Sequence, residues 1–382
     1  MTDQAEVEVQ RPTSKRILSI DVLRGLTIAF MILVNNNGNN DLAFRALNHS
    51  AWNGFTPTDL VFPTFLFIMG ISMVLSFSAR KKQGISTGQQ LTSIVRRFAL
   101  LFFFGLIVNG FPYFHLGTLR IYGVLQRIAV CYLLAALLQV ASDRIAPRIA
   151  LLALSLVSYW VLLRYVSVPG YGVPTHGFPL LDRNINIVAW TDRHIFPNRL
   201  FEVTRDPEGL LSDLPAFGST LLGLLAGSWL KAARPTMQKV FGLVVSGVLM
   251  ISSGLLWSQS LPINKKLWTS SYVLYAAGWS ALLLALFYYL IEVRQWREQW
   301  TFPFLVFGTN AITAYVLSEL LSSAVAVFHV NAQQSFQQFV YFHYFIHLGT
   351  PAVGSLAYSL LFVAVCFVPA LLLYRRRIFI KL

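Results

Sequence analysis

About ten stretches of roughly 20 mostly apolar residues divide this 382-residue chain, and they leave few folds open. In hydrocarbon every backbone N–H and C=O needs a partner inside the protein. Helices and closed barrels meet that demand, and long continuous apolar runs without strand-like alternation select helices. The runs are 17–34, 59–78, 91–108, 119–140, 147–166, 214–230, 240–257, 268–291, 302–327 and 351–374. The expected fold class is therefore all-α: a polytopic membrane helical bundle of about ten transmembrane helices. Only 12% of residues are charged, against about 25% in a soluble domain, which agrees. Residues 1–16 read as a disordered tail and 17–382 as one transmembrane domain. No small-residue cleavage site follows the first run, so it reads as a retained helix and not a signal peptide.

The net charge of +14 would suggest nucleic acid in a soluble protein. Here nucleic acid is excluded as a partner, and the basic residues sort the loops instead. Every second loop is rich in them: Arg11, Lys15 and Arg16; Arg80 to Lys82 with Arg96 and Arg97; Arg144 and Arg148; Lys231, Arg234 and Lys239; Arg294 and Arg297; Arg375 to Arg377. That alternation places both termini in the cytoplasm and the first polar loop outside. The longest connection, 167–213, then faces out, and a loop of that length reads as functional. The aromatic and polar stretch 328–348 reads as lying along the interface without crossing. Cys131 and Cys366 both sit in apolar runs, so neither a disulfide framework nor a metal site is expected. Gly223 and Gly227, four apart in an apolar run, predict close helix packing.

Chemistry-bearing residues gather where the chain first turns, at NNNGNNDLAFRALNHSAWNGFTPTDLVFP. His49 has the pKa of a base near neutral pH, though an exposed loop histidine would look the same. Asn35 ends the first run and Asp59 opens the second, so a short loop keeps all three close. A carboxylate orients a histidine, and a carboxamide donates to an oxyanion. Trp52 and Asn53 share the loop as candidate substrate contacts. Asp206 and Glu208, in DPEGLLSDLP, read as carboxylates for a polar substrate or as turn and cap residues. Arg127 is a charge inside an apolar run, with function and structure both open. Lys265 and Lys266 are outer cations for phosphates or for lipid headgroups. Asn310 and Glu319 are polar groups in the ninth run, lining a cavity or bonding neighbouring helices. Asp21 and Arg24, three apart, read as an ion pair.

The stretches IDVLRGLTIAFMILVNNNG, HSAWNGFTPTDLVFPTFLFIMG, RIYGVLQRIAVCYL, DPEGLLSDLPA, LPINKKLWTSSYVL and FGTNAITAY cover most of the chain. Together they make it resemble the heparan-alpha-glucosaminide N-acetyltransferase family, including its bacterial members. The resemblance implies acetyl transfer from acetyl-CoA to the amine of a glucosamine-type sugar. It implies His49 as the active-site histidine, Asn35 as its asparagine partner and Asp59 as the acidic residue of the motif. The glucosamine-type acceptor would meet Trp52, Asn53, Asp206, Glu208 and Asn310, and acetyl-CoA would meet Arg127, Lys265 and Lys266, with no metal. A bacterial inner membrane is the implied location, and a homodimer is compatible with it. Two other functions fit the residues: an amino-sugar transporter without covalent chemistry, and an O-acyltransferase acting on a cell-wall glycan.

Overall fold

The computed structural model describes residues 17–174 and 182–380; the tail expected at 1–16 lies outside them. The first half holds α1 (Leu18–Asn35), α2 (Val61–Lys82), α3 (Thr87–Gly110), α4 (Val124–Ala141) and α5 (Ile145–Tyr165). A short α6 (Ile187–Ile195) follows, then α7 (Asp213–Lys231), α8 (Thr236–Trp257) and α9 (Ser270–Tyr288). Last come α10 (Thr301–Thr309), α11 (Ala311–Val327), α12 (Phe336–Val340) and α13 (Pro351–Arg375). A two-stranded hairpin of β1 (His329–Asn331) and β2 (Gln334–Ser335) precedes α12. Among the described residues nine helical segments are long and apolar enough to cross a membrane, and α10–α11 makes ten as one bent span. The chain is an integral multi-pass membrane protein and an all-α bundle, as the apolar runs require.

Burial separates a centre from a rim. In the apolar window of each segment, α2 with its lead-in turn is 78% buried and the α7 segment 72%, against 17% for α3 and for α8. Close backbone contact makes the centre dense. A Cβ on Gly223 would lie 2.1 Å from the Phe67 carbonyl oxygen of α2, so only glycine fits there. The α1–α10 crossing works the same way: a Cβ on Gly25 would lie 1.7 Å from the carbonyl oxygen of Phe304. Pinned there, α10 ends at Asn310 (φ −124°, ψ 42°), and the chain turns by 84° into α11. The run 302–327 is therefore two helices at an angle. The run 119–140 begins its helix only at Val124, because the carbonyls of Arg120 and Tyr122 are held by the Asn109 amide (3.0 and 3.1 Å).

Successive spans run antiparallel, so the loops gather at two ends. One end carries residues 36–56, 111–123, 166–174, 182–209 and 258–269. The other carries the basic loops around Arg80, Arg144, Arg234 and Arg297.

Candidate active site

The turn before α2 is built by Asp59. The sequence Thr56-Pro57-Thr58-Asp59 makes a capping box in which Oδ2 of Asp59 accepts from the backbone N–H of Thr56 (2.9 Å). The same oxygen accepts from Ser50 N–H at 3.2 Å. The other oxygen, Oδ1, meets Nδ1 of His49 at 2.7 Å. An ionised Asp59 only accepts, so Nδ1 carries the hydrogen and Nε2 keeps its lone pair. The Asp59 side chain is wholly buried, while the His49 ring is 38% exposed. Nε2 faces the Lys265 ammonium at 3.2 Å. Burial, then Lys265, pushes the His49 pKa below the usual imidazole value, against the pull of Asp59. Burial also lowers Lys265, with Glu208 and Asp59 opposing.

Lys265 reaches His49 because two loops are stitched together. Gly54 N–H donates to the Ile263 carbonyl (2.8 Å), and the Asn264 amide donates to Oδ1 of Asn53 (3.0 Å). Gly54 sits at φ +114°, a conformation that favours glycine. Trp52 tucks beneath this seam, with the Arg205 guanidinium 4.6 Å from its ring centre. It packs with Tyr159, Leu163, Val188 and Leu267.

Beside this seam lies a second charged cluster. Arg120 grips Asp206 through Nε and Nη2 (2.7 and 2.5 Å), and Nη2 also meets Glu208 at 2.6 Å. Burial would raise the Glu208 pKa, but Arg120, Lys265 and Arg127 together hold it at about 2. Arg127, fully buried, donates to Asp213 (2.9 Å) and Ser212 and lies 4.8 Å over the Trp268 ring. Lys266 turns to Glu202 (3.6 Å).

The structure thus brings His49, Asp59 and Lys265 into one chain of contacts, with Asn53 and Trp52 in the same seam. It ties Asp206 and Glu208 to Arg120, a partner that the sequence left unassigned. The asparagines divide. Asn37 donates to Oδ1 of Asn48, next to His49 (3.1 Å), whereas Asn35 donates to Glu319 on α11 (3.1 Å). Asn310 stands apart: it binds the backbone of Ile378 and Ile380 (3.1 and 2.9 Å), in the tail after α13.

At the basic end a cleft of about 690 Å³ opens between α1, α2, α3, α4 and the α10–α11 bend. Arg24, Arg80, Arg96, Arg97, Ser72 and Ser93 line it, with Ile380 at its edge. Arg97 lies 4.6 Å over the Tyr132 ring, and its buried Nε has no hydrogen-bond partner. Arg24 pairs with Asp21 at 3.0 Å, as their spacing predicts. A small apolar void of about 10 Å³ lies inward of it, lined by Phe65, Ile128 and Ile312, which also line the cleft, and by Phe62 and Tyr315. Arg80, Arg96 and Arg97 were legible only as loop charge and Arg24 only as the partner of Asp21; the cleft they share needed the helix packing.

Residues 16–263 match the family model described as heparan-alpha-glucosaminide N-acetyltransferase, catalytic. The chain belongs to the heparan-alpha-glucosaminide N-acetyltransferase family. It is 30% identical to the mouse protein named heparan-alpha-glucosaminide N-acetyltransferase, over 83% of this chain and 55% of that one. The human protein of that name is 28% identical over 100% of this chain and 63% of its own length. The chain therefore spans between half and two thirds of these relatives. Within the family match fall His49, Asp59 and both arginine-held carboxylates; the match ends at Ile263, so Asn264, Lys265 and Lys266 lie beyond it.

Proposed function

We propose that this chain is an acetyl-CoA-dependent N-acetyltransferase whose acceptor is the amine of a glucosamine-type sugar at the outer side of the membrane. The observation that carries the reading is the His49–Asp59 contact, which leaves Nε2 as a base at the end opposite the arginine-lined cleft. An activated thioester is what the acetyl donor supplies. Its phosphates suit the cleft, because several guanidinium groups converge there and one buried N–H is unmet. From Ser72 at the cleft to Asp59 is about 20 Å along α2, at about 1.5 Å per residue. An extended pantetheine arm covers such a distance, and it would have to part the apolar side chains of Phe62, Phe65 and Ile128 on the way.

His49 takes the proton from the acceptor amine, or accepts the acetyl group itself, through Nε2. Asp59 holds the ring and balances the charge that forms on it. Asn35 or Asn37 supplies an amide N–H for the oxyanion, an interaction worth about 2.7 to 4 kcal/mol when well placed. Glu208, Asp206 and Trp52 shape the wall that meets the sugar, and Arg120 fixes both carboxylates. The location in a bacterial inner membrane follows from the same reading.

The test is acetyl transfer by the purified protein from labelled acetyl-CoA to a panel of amino and hydroxyl sugars, with products read by mass spectrometry. N-acetylated sugar is the expected product; O-acetylated sugar, or uptake into vesicles without acetyl-CoA, would replace the reading. His49→Ala should abolish transfer while the protein still elutes as a folded species, and retained turnover removes His49 from the mechanism.

A further inference from the structure

Among the described residues, His49 Nε2 is the only hydrogen-bond partner of the Lys265 ammonium, at 3.2 Å. That ammonium has three donors, so two remain for a ligand. The contact is built rather than incidental. The Gly54–Ile263 and Asn53–Asn264 hydrogen bonds fix both loops on either side of it. The adjacent Lys266 turns away to Glu202. A cation set against the lone pair of a base opposes protonation of that base. It belongs there if it has a proton to give to something else.

We propose that Lys265 is a catalytic residue that protonates the departing thiolate of the acetyl donor and then recovers a proton from His49. The proposal rests on the acetyl-transfer reading. Its balance closes within the dyad. The acceptor nitrogen, as free amine, forms a bond to the acetyl carbon, and the carbon–sulfur bond breaks. The proton lost by nitrogen goes to Nε2 of His49. The sulfur takes a proton from Nζ of Lys265 and leaves as a thiol. An imidazolium and a neutral amine then stand 3.2 Å apart, and one transfer from Nε2 to Nζ restores both. If His49 carries the acetyl group instead, the thiolate still needs this proton, and the later amine attack returns one to Lys265. The lowered pKa of buried Lys265 makes it a better acid than a free lysine. The charged groups acting on it are His49 and Asp59 of the first loop, Glu208, Arg127 of α4, and Lys266.

The experiment is the pH–rate profile of the full-length protein with acetyl-CoA and glucosamine, for Lys265→Met and Lys265→Arg. Lys265→Met should lose about 100-fold or more in rate. Its residual profile should lack the basic limb, and its acid limb should move to higher pH as the cation beside His49 disappears. Lys265→Arg keeps the cation and is too weak an acid. It should lose about tenfold or more, with the acid limb near its wild-type position. Either variant at the wild-type rate overturns the proposal, and so does a loss with both limbs unmoved, which would mark a structural role. Should Lys265→Met not fold, Lys265→Arg decides. A wild-type protein that acetylates no amine overturns the acetyl-transfer reading itself, an outcome separate from any result with the variants.

Discussion

Asp59 divides its oxygens between two tasks. Oδ2 holds the loop through Thr56 and Ser50, and Oδ1 holds the imidazole. Asp59→Asn therefore has a specific consequence. The amide keeps its oxygen toward the two backbone donors, so its NH₂ faces Nδ1. The ring must then accept at Nδ1 and carry its hydrogen on Nε2, where no lone pair remains. We expect kcat to fall about 10² to 10⁴-fold, with donor KM nearly unchanged, as measured by initial-rate kinetics. This pair was legible in the sequence because its members lie only ten positions apart and a capping box fixes the second. Lys265 was legible only as an outer cation. Its contact with His49 joins positions 216 apart, and nothing in either motif announces the other. The asparagine run offered three equivalent amides; only the end of α1 at Asn35 and the turn at Asn36 send one to Glu319 and another to Asn48.

Among the elements, α6 is the piece that periodicity did not announce. At nine residues it is short, and it hides within a Pro- and Gly-rich loop. It is capped by Asn186, whose side chain accepts from Ala189 N–H at 2.9 Å, and it buries Asp192. Asp192 accepts from the backbone N–H of Asp206 and Leu210 (3.4 and 3.3 Å), tying α6 to the segment that carries Glu208. A Cβ on Gly209 would lie 2.1 Å from its Oδ2, so the two backbones close tightly around the carboxyl group. Burial is the main cause that raises Asp192 to about 7; the backbone donors oppose it, and the neighbouring Asp206 charge adds to it. The sign of the linkage follows. The folded state holds this proton more tightly than the unfolded chain, so the group disfavours folding increasingly as pH rises from about 4 to 7. Asp192→Asn should flatten that slope. In detergent, the wild type should lose thermal stability relative to the variant on going from acidic to neutral pH. Parallel curves would mean that Asp192 stays charged in the fold. The α10–α11 bend was equally hidden, since an apolar run reads the same whether straight or broken. Its cause is tertiary: Gly25 and Gly308 lock α10 to α1, and Asn310 spends its amide on the tail.

For the whole molecule, the hydrophobic pattern was enough to read the bundle, because each long run must become a helix whatever surrounds it. The alternating basic loops carried more information than orientation. Folding brings Arg24 from α1, Arg80 from α2 and Arg96 and Arg97 from α3 onto one cleft, far from the His49 seam along the helix axes. The two-ended arrangement suits a donor and an acceptor that approach from opposite faces. Arg97 is the sharpest probe of it, because its guanidinium lies over the Tyr132 ring and its Nε is unmet. Arg97→Met keeps an unbranched side chain there and removes the charge. A hydrogen bond to a charged group contributes about 1.5 to 3 kcal/mol, so donor KM should rise roughly tenfold or more while the acceptor KM stays fixed. Equal changes in both constants would place Arg97 outside the donor site. In sealed proteoliposomes of known orientation, acetyl-CoA should support transfer only when supplied at the face carrying Arg80 and Arg97. The sugar should be consumed only from the face carrying His49. Transfer with both substrates confined to one face would mean that the cleft and the seam do not form a single path through the bundle.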